Sequence, residues 1–284
     1  MTTLAGKRVL VTGGASGMGR GVAMECARRG ADLVLWDIDR DRLEAAKADL
    51  GAIARAVRID AVSVADRDQV YRTARAVESE GGPIDVVVNS AGVVSGKAFL
   101  DLTDENIERT FGVNTLALFW TCKAFLPGMV ERNRGHIVTL ASASSFVGVA
   151  KLVDYASSKW AAYGFDESLR VELKKRGSAV KTTVVCPYYV NTGMFTGVKS
   201  RFPRMLPILE ERYVVRRIAD AIERDRARLI LPWPIFLMPL MRILPTRAMD
   251  ALADFLGVNV SMDEFVGRSQ EIEKPRIAAA GGRS

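Results

Sequence analysis

The sequence is poor in the residues on which several protein classes depend. It holds three cysteines and one histidine in 284 residues. Cys26, Cys122 and Cys186 are widely separated, which excludes a disulfide framework or a zinc-binding spacing and predicts a reducing compartment. No metal site is predicted. A Ser–His hydrolase would need His136 as its base, but His136 starts an apolar run typical of a strand, so a structural role is favoured.

Apolar segments of the kinds that target or cross a membrane are also missing. The first residues lack the apolar region of a signal peptide, and no stretch has the length and composition of a spanning helix. We therefore expect a cytoplasmic protein, with a peripheral position at a membrane surface as the alternative. The apolar content of 49% and the charged content of 26% are ordinary for a globular protein.

The net charge of +7 raises the question of an acidic partner. Residues 196–247 carry 11 Lys and Arg against 5 Asp and Glu. The acidic residues alternate with the arginines, which is typical of a solvated helix face. No aromatic or recognition motif for nucleic acid accompanies the basic residues, so a nucleic-acid partner is not predicted.

Short apolar runs alternate with helical patterns along most of the chain. This alternation predicts βαβ units and a parallel sheet covered by helices on both faces. Strands are expected at 8–12, 33–37, 54–59, 86–89, 136–141, 182–186 and 227–231. Helices are expected at 19–29, 40–50, 66–80, 104–130 and 155–175. The predicted fold is α/β: a single doubly wound Rossmann domain over 1–284, with a mainly parallel seven-stranded sheet and a C-terminal extension that forms a substrate lid.

A glycine-rich turn follows the first predicted strand. Gly13, Gly17 and Gly19 let the backbone approach a pyrophosphate, and the helix that begins near Gly19 offers N–H groups and a positive dipole. A packing role alone is the alternative for this turn. Asp37 ends the second strand, where a carboxylate can bond the adenosine ribose hydroxyls. The same carboxylate would repel a 2′-phosphate, which favours NAD over NADP; a helix-capping role is the alternative.

Tyr155 and Lys159 are one helical turn apart on a predicted helix. A tyrosine is a useful general acid–base when its pKa falls from about 10 toward neutrality, and a nearby ammonium group stabilises the phenolate. Ser142 follows the strand 136–141 and is placed to bond a substrate oxygen and fix its orientation. Asn114 lies inside a predicted helix, where its amide can hold a water that relays protons from Lys159. These four side chains predict proton exchange with an alcohol or carbonyl while a dinucleotide exchanges the hydride.

Together these motifs resemble those of the short-chain dehydrogenase/reductase family. The resemblance rests on residues 12–19, Asp60, 89–92, Asn114, Ser142, Tyr155, Lys159 and 187–192. It implies a catalytic tetrad of Asn114, Ser142, Tyr155 and Lys159. It also implies a cofactor site that comprises Gly13, Ser16, Gly17, Met18, Gly19, Asp37, Asp60, Ala61, Asn89, Ala91, Gly92, Tyr155, Lys159, Pro187, Val190 and Thr192.

The resemblance gives several of these residues separate roles. Asp60 would contact the adenine, and Asn89 would stabilise the central sheet near the cofactor. Lys159 would also hold the nicotinamide ribose, and Val190 and Thr192 would contact the carboxamide. There are two departures from the family pattern: Ser90 stands where a second asparagine is usual, and Tyr188 follows Pro187 where glycine is common. The second departure is expected to reshape the floor of the pocket.

Other segments are similar to the branch that contains retinol dehydrogenases and 17-beta-hydroxysteroid dehydrogenases types 11 and 13. These segments are 34–38, 123–127, 131–133, 135–138 and 186–193. The similarity implies an NAD-dependent oxidoreductase that interconverts a lipophilic alcohol (retinoid-, steroid- or fatty/aryl-alcohol-like) and its aldehyde or ketone. The alternatives are an NADPH-preferring carbonyl reductase and a non-catalytic nucleotide-binding or membrane-interaction protein. The family also implies a homodimer or homotetramer formed through the helices 104–130 and 155–175.

The C-terminal part contains an unusually apolar segment, 229–245, with four prolines and Arg242. The prolines oppose a spanning helix. Burial as a pocket lid or dimer contact is favoured, and an interfacial segment that rests on lipid is the alternative. The substrate lid is expected at about 190–210 and the C-terminal extension at about 229–284. The aromatic residues expected near a hydrophobic substrate are Tyr188, Tyr189, Phe195 and Phe202.

Overall fold

Seven strands form one wholly parallel sheet in the order β3-β2-β1-β4-β5-β6-β7. The computed structural model describes residues 1–267, so the last part of the predicted extension, 268–284, lies outside the described residues. The strands are β1 Arg8–Thr12, β2 Asp32–Asp37, β3 Val57–Ala61, β4 Val86–Asn89, β5 His136–Leu140, β6 Lys181–Pro187 and β7 Arg228–Leu231. The α/β fold with seven parallel strands is thereby confirmed.

Helices cover both faces of this sheet. They are α1 Gly17–Arg28, α2 Arg40–Gly51, α3 Arg67–Gly81, α4 Asp104–Phe111, α5 Ala117–Glu131, α6 Val153–Lys175, α7 Glu211–Glu223, α8 Met238–Met241 and α9 Thr246–Phe255. Three short 3₁₀ helices lie at Phe99–Asp101, Ala143–Ser145 and Trp233–Leu237. A π-helical turn, Gly112–Leu116, joins α4 to α5 without a break in the helical path.

The strands alternate their side chains between two buried cores. In β1, Val9 and Val11 face the core that contains α1, α2 and α7, whereas Leu10 faces the core that contains α3 and α5. Because both sheet faces are buried at the centre of the sheet, strands such as β1 and β4 are apolar along almost their whole length, whereas the edge strand β3 is half-buried and carries Arg58 and Asp60. The strand order reverses between β1 and β4, and a crevice therefore opens beyond the carboxyl ends of these strands.

Some element boundaries differ from those predicted. The third strand was expected at 54–59 but spans Val57–Ala61, since Ala54 and Ala56 belong to the connection after α2. The helix expected at 104–130 contains the π turn at its centre. The charged stretch near 210–225 does lie on a helix, α7, but this helix also buries an apolar face against α1. That packing makes α7 a core element as well as a solvated face.

One helical path, Asp104–Glu131, has the length and apolar composition of a membrane-spanning helix, which the sequence analysis did not anticipate. Its buried side chains include Phe125 and Met129, which pack on the sheet. The Phe125 ring lies 5.7 Å from the ring of Trp36 in β2. Within the domain this path therefore serves as a core helix.

Candidate active site

A cavity of about 440 Å³ opens at the carboxyl edge of the sheet. It brings together most of the residues predicted for cofactor binding and catalysis: Gly13, Ser16, Met18, Gly19, Asp37, Ala91, Gly92, Ser142, Tyr155, Lys159, Pro187, Val190 and Thr192. The predicted residues that do not line it are Gly17, Asp60, Ala61, Asn89 and Asn114. The cavity has two ends, one beside β1 and β2 and the other beside β6 and the C-terminal segments.

The glycine turn between β1 and α1 is closed by backbone contacts. Gly13 has a φ of +65°, and a Cβ there would lie 2.9 Å from the Cα of Ala91. A Cβ on Gly19 would lie 2.1 Å from the carbonyl oxygen of Gly13. The first-turn N–H groups of α1 have no intrahelical acceptor, and Met18 and Gly19 line the cavity. The turn therefore offers the narrow, donor-rich cradle that a pyrophosphate requires.

Asp37 stands at the end of β2 and lines the same end of the cavity. Its Oδ2 accepts a hydrogen bond from the Ala15 N–H at 3.1 Å, and its Oδ1 accepts one from the Asp39 N–H at 3.2 Å. The residue that caps α2 is Asp39, whose Oδ1 accepts a hydrogen bond from the Arg42 N–H at 3.0 Å. The helix-capping alternative for Asp37 is therefore wrong. The backbone bonds fix its carboxylate beside the glycine turn.

Two residues of the implied cofactor site, Asp60 and Asn89, have partners within the protein. Asp60 accepts a hydrogen bond from the Trp36 Nε1 at 3.3 Å and forms an ion pair with Arg58 at 2.9 Å. Asn89 accepts a hydrogen bond from the Thr121 hydroxyl at 2.7 Å, which joins β4 to α5. An adenine contact by Asp60 stays a prediction. The cavity wall nearby is formed by Val62, Ser63 and Val64, which the sequence analysis did not single out.

The three predicted catalytic side chains that line the cavity come from β5 and α6. Ser142 follows β5, and the hydroxyl of Tyr155 is hydrogen-bonded to its side chain. The Nζ of Lys159 lies 5.7 Å from the centroid of the Tyr155 ring and donates a hydrogen bond to the Leu140 carbonyl at 2.8 Å. Tyr155 and Lys159 are 5% and 6% exposed, so both polar groups work in a largely water-free setting.

Burial sets the pKa values of this pair in the protein alone. It raises the pKa of Tyr155 to about 12, although the hydrogen bond with Ser142 acts in the opposite direction. It lowers the pKa of Lys159 to about 8. The downward shift predicted for the Tyr155 pKa is therefore not a property of the protein alone, because desolvation of the phenolate outweighs its partners.

Asn114 lies in the π turn behind the cavity. Its Oδ1 accepts a hydrogen bond from the Val93 N–H, and its Nδ2 donates hydrogen bonds to the Val93 carbonyl and the Ser158 hydroxyl, all at 2.9–3.0 Å. Both amide hydrogens are thus used within the protein. Asn114 ties the chain after β4 to α6, and a proton-relaying water held by its side chain stays a prediction.

The second end of the cavity is apolar. The predicted aromatic residues Tyr188, Tyr189 and Phe195 line it, but Phe202 does not, because its ring packs 5.4 Å from that of Phe255. The Phe195 ring lies edge-on to the Tyr155 ring, with 5.5 Å between their centroids. Further lining residues, which carry no chemical signature in the sequence, are Val147, Val149, Leu152, Met194, Leu206, Ile235, Met238 and Val258. This end suits the hydrocarbon part of a substrate.

Residues 190–210 contain no long helix or strand, but they pack against the rest of the protein. Val190 and Leu209 form an isolated parallel bridge, and Val198 and Leu206 are buried. Met194, Phe195 and Leu206 reach the cavity. The segment therefore covers the apolar end, while its motion as a lid stays a prediction.

Comparison with known proteins identifies relatives along nearly the whole chain. A sequence profile described as short chain dehydrogenase matches residues 7–201. The chain is 41% identical over 272 residues to epidermal retinol dehydrogenase 2 of Homo sapiens, covering 95% of this chain and 88% of that protein. It is 39% identical over 308 residues to retinol dehydrogenase 10 of Homo sapiens, covering 98% and 90% of the two chains.

Solved structures show the same architecture. A short chain dehydrogenase/reductase from Burkholderia phymatum in complex with NAD superposes with a TM-score of 0.78, at 25% identity, over 86% of this chain and 95% of that one. An alcohol dehydrogenase from the archaeon Thermococcus sibiricus, complexed with 5-hydroxy-NADP, gives a TM-score of 0.70 at 25% identity, over 79% and 95% of the chains. The structures that resemble this chain thus include nicotinamide dinucleotide complexes of both kinds.

Proposed function

The chain belongs to the short-chain dehydrogenase/reductase family, and from this premise we propose that it is an NAD-dependent dehydrogenase of lipophilic alcohols. As a member of the family it is an NAD(P)-dependent oxidoreductase that acts on CH–OH groups. The proposal adds the preferred cofactor, the class of substrate and the residues that exchange the proton.

One observation carries the proposal. The hydroxyl of Tyr155, bonded to Ser142, lies where the nucleotide end of the cavity meets its apolar end. An alcohol whose oxygen replaces solvent beside these two hydroxyls would direct its hydrocarbon part toward Phe195 and the apolar lining. Its carbinol carbon would then face the nucleotide end, which contains the glycine turn and Asp37.

Side chains of the protein take up the hydroxyl proton that the alcohol loses when it is oxidised. A bound oxidised nicotinamide ring supplies the hydride acceptor and a positive charge. Tyr155, as phenolate, takes the hydroxyl proton of the alcohol while the C–O bond gains double-bond character, and Ser142 holds the oxygen in place. Two positive charges, one of them on Lys159, favour the phenolate. We therefore expect the pKa of Tyr155 to fall from about 12 when the cofactor binds.

Asp37 supports the preference for NAD. Its carboxylate would accept hydrogen bonds from the adenosine ribose and would repel a phosphate at the 2′ position. An NADPH-preferring carbonyl reductase is the second candidate, because Arg42 also lines this end of the cavity. The Nε of Arg42 is, however, ion-paired with Asp39 at 3.0 Å, which reduces its availability to a 2′-phosphate.

The test is a panel of retinoid, steroid, fatty and aryl alcohols, each with NAD or NADP, followed by the nicotinamide absorbance. The proposal expects turnover of apolar alcohols and a higher kcat/KM with NAD. Asp37→Asn should lower the NAD to NADP ratio of kcat/KM by about tenfold or more. Asp41→Asn, the same charge change on an exposed residue of α2, should leave the ratio unchanged. A wild-type preference for NADP would favour the carbonyl reductase.

The proposal also includes a homodimer or homotetramer. The helices named for it present exposed apolar side chains, including Leu116 and Phe119 on the helical path 112–131 and Val171 on α6. Sedimentation of the wild-type chain measures the oligomeric state.

A further inference from the structure

A band of large apolar side chains is exposed on the segment that follows β7. We call this band the outer face: Trp233, Phe236, Leu237, Leu240, Ile243 and Leu244. Trp233 is 74% exposed and Ile243 is 83% exposed. Six such residues within twelve positions form a larger exposed apolar surface than scattered hydrophobic residues produce.

The same short segment has a second, buried face. Ile235 and Met238 alternate with the residues of the outer face, are 1% and 6% exposed, and line the apolar end of the cavity. The wall between cavity and solvent is therefore one short helical layer with apolar side chains on both sides. The favoured prediction, a buried lid, therefore describes only the inner face of this segment.

The charge around the outer face is positive. Arg242 lies within the outer face and Arg247 follows it, and the chain contains no acidic residue between Asp225 and Asp250. Arg228, at the start of β7, is ion-paired with Glu167 at 3.3 Å. Arg242 lies over the Trp160 ring, with 4.3 Å between the guanidinium carbon and the ring centroid, and its side chain remains exposed. Arginines beside exposed tryptophan and leucine are typical of segments that lie in the headgroup region of anionic membranes.

The geometry favours a surface position rather than insertion across a bilayer. Pro232, Pro234 and Pro239 limit the helical pieces to Trp233–Leu237 and Met238–Met241. These pieces are too short to span the hydrocarbon layer. A two-fold contact between copies through the outer face would bring Arg242 and Arg247 of both copies together without an acidic partner from this segment.

We propose that the outer face docks on an anionic lipid surface, from which an apolar alcohol enters the cavity past the layer that carries Ile235 and Met238. This inference rests on the proposed function for the nature of the substrate, but the docking itself does not depend on it. The lipid surface solvates the outer face, while the arginines remain at the headgroups.

The binding test is flotation of the full chain with phosphatidylcholine vesicles, with and without phosphatidylserine. We expect binding that increases with phosphatidylserine. The double variant Trp233→Ser/Phe236→Ser should weaken binding about tenfold or more, and Arg247→Glu should weaken it on anionic vesicles only. Ile53→Ser removes an apolar side chain that is 42% exposed in the turn after α2, and serves as the matched control with unchanged binding.

A kinetic arm separates this inference from the proposed function. The double variant should retain wild-type kcat/KM for a short water-soluble alcohol, because neither substituted residue lines the cavity. Its rate with a long-chain alcohol presented in anionic vesicles should fall. Absence of turnover with every alcohol, together with lipid binding, would reject the proposed function but not the docking.

Three outcomes would overturn the docking. One is a wild-type chain that binds neither type of vesicle. Another is vesicle binding that Trp233→Ser/Phe236→Ser leaves unchanged. The third is an oligomer that this variant dissociates while lipid has no effect, which would make the outer face a contact between copies.

Discussion

The two ends of the cavity are held together by different kinds of contact. At the nucleotide end, the turn after β1 leaves no room for side chains: added Cβ atoms on Gly13 or Gly19 would meet backbone atoms. At the substrate end, rings meet rings, as Tyr155, Phe195 and Tyr189 do at centroid separations of 5.1–5.5 Å. A substitution can disrupt a contact between backbone atoms but cannot replace it with another, whereas a contact between side chains can be replaced by a different side-chain contact. The nucleotide end is therefore expected to be intolerant of change, and the substrate end to be the adjustable half.

The largest effect should come from Gly19→Ala at the nucleotide end. The new Cβ would lie 2.1 Å from the Gly13 carbonyl oxygen, so the turn and the start of α1 must separate. We expect NAD affinity to fall by about a hundredfold or more and the free energy of unfolding to fall by about 3 kcal/mol. Calorimetric titration with NAD and urea unfolding measure the two quantities.

Gly164→Ala is the matched control. Gly164 lies inside α6, and a Cβ there meets nothing within 4 Å. This substitution should stabilise the protein by about 0.5–1 kcal/mol, through helix propensity alone. If Gly19→Ala behaved like Gly164→Ala, the start of α1 would not be in close backbone contact with Gly13.

At the substrate end, Phe195→Ala should weaken the reaction of the alcohol without affecting the binding of NAD. Loss of the ring beside Tyr155 should lower kcat/KM for a lipophilic alcohol by about 30-fold, equivalent to about 2 kcal/mol of apolar contact. NAD affinity should stay within about twofold, because Phe195 belongs to the apolar end. Equal losses for alcohol and NAD would contradict the separation of the two ends.

Asp154 lies in α6, one residue before Tyr155, and does not itself line the cavity. Its buried Oδ2 accepts hydrogen bonds from the Ser95 hydroxyl at 2.7 Å and the Thr110 hydroxyl at 2.8 Å, which tie α6 to α4 and to the chain after β4. Asp154→Ala should lower the free energy of unfolding by about 2 kcal/mol, because the buried hydroxyl of Thr110 and the half-buried hydroxyl of Ser95 lose their acceptor. Asp154→Asn, which retains an acceptor oxygen, should cost less. Urea unfolding of both variants checks the order.

His136 lies at the start of β5, remote from both ends of the cavity. Its titration should therefore affect stability alone. Burial lowers its pKa from 6.5 to about 4, so the unfolded chain binds more protons between these values and the folded state loses stability as the pH falls. From pH 7 to pH 5 the loss should be about 2 kcal/mol.

The difference between wild type and His136→Gln isolates this contribution. Asp166 acts in the opposite direction over the same range, because burial raises its pKa to about 6 and its protonation then favours the folded state. Since Asp166 is present in both proteins, its contribution cancels. A difference in unfolding free energy that does not change between pH 7 and pH 5 would contradict a neutral, buried His136.

The contrast between the two ends also explains what the sequence could predict. The bounds of β1 and β4 agree with the predicted ones, and the glycine turn and Asp37 stand where their spacing placed them. These features depend on local backbone geometry, which leaves a pattern of glycines and apolar runs. Ser142, Tyr155 and Lys159, which were singled out because the predicted chemistry demands particular residue types, also line the cavity.

Features that depend on tertiary packing escaped prediction. The segment 229–245 was expected as a pocket lid or dimer contact, but the sequence does not single out Ile235 and Met238 as the residues that line the cavity, because an isoleucine or methionine carries no signature of a pocket wall. The π turn around Asn114 has no sequence code that distinguishes it from an ordinary helix. The raised pKa of Tyr155 depends on how completely its ring is buried, which spacing does not reveal.

Single-turnover reduction of NAD by a lipophilic alcohol, in wild type and in Tyr155→Phe, tests the claim that Tyr155 takes the proton of the alcohol. We expect the rate of hydride transfer to fall by about a thousandfold, because the phenolate that takes the proton is lost. NAD affinity should change by no more than about threefold, because the glycine turn and Asp37 are intact. A Tyr155→Phe enzyme that turned over at the wild-type rate would contradict the claim.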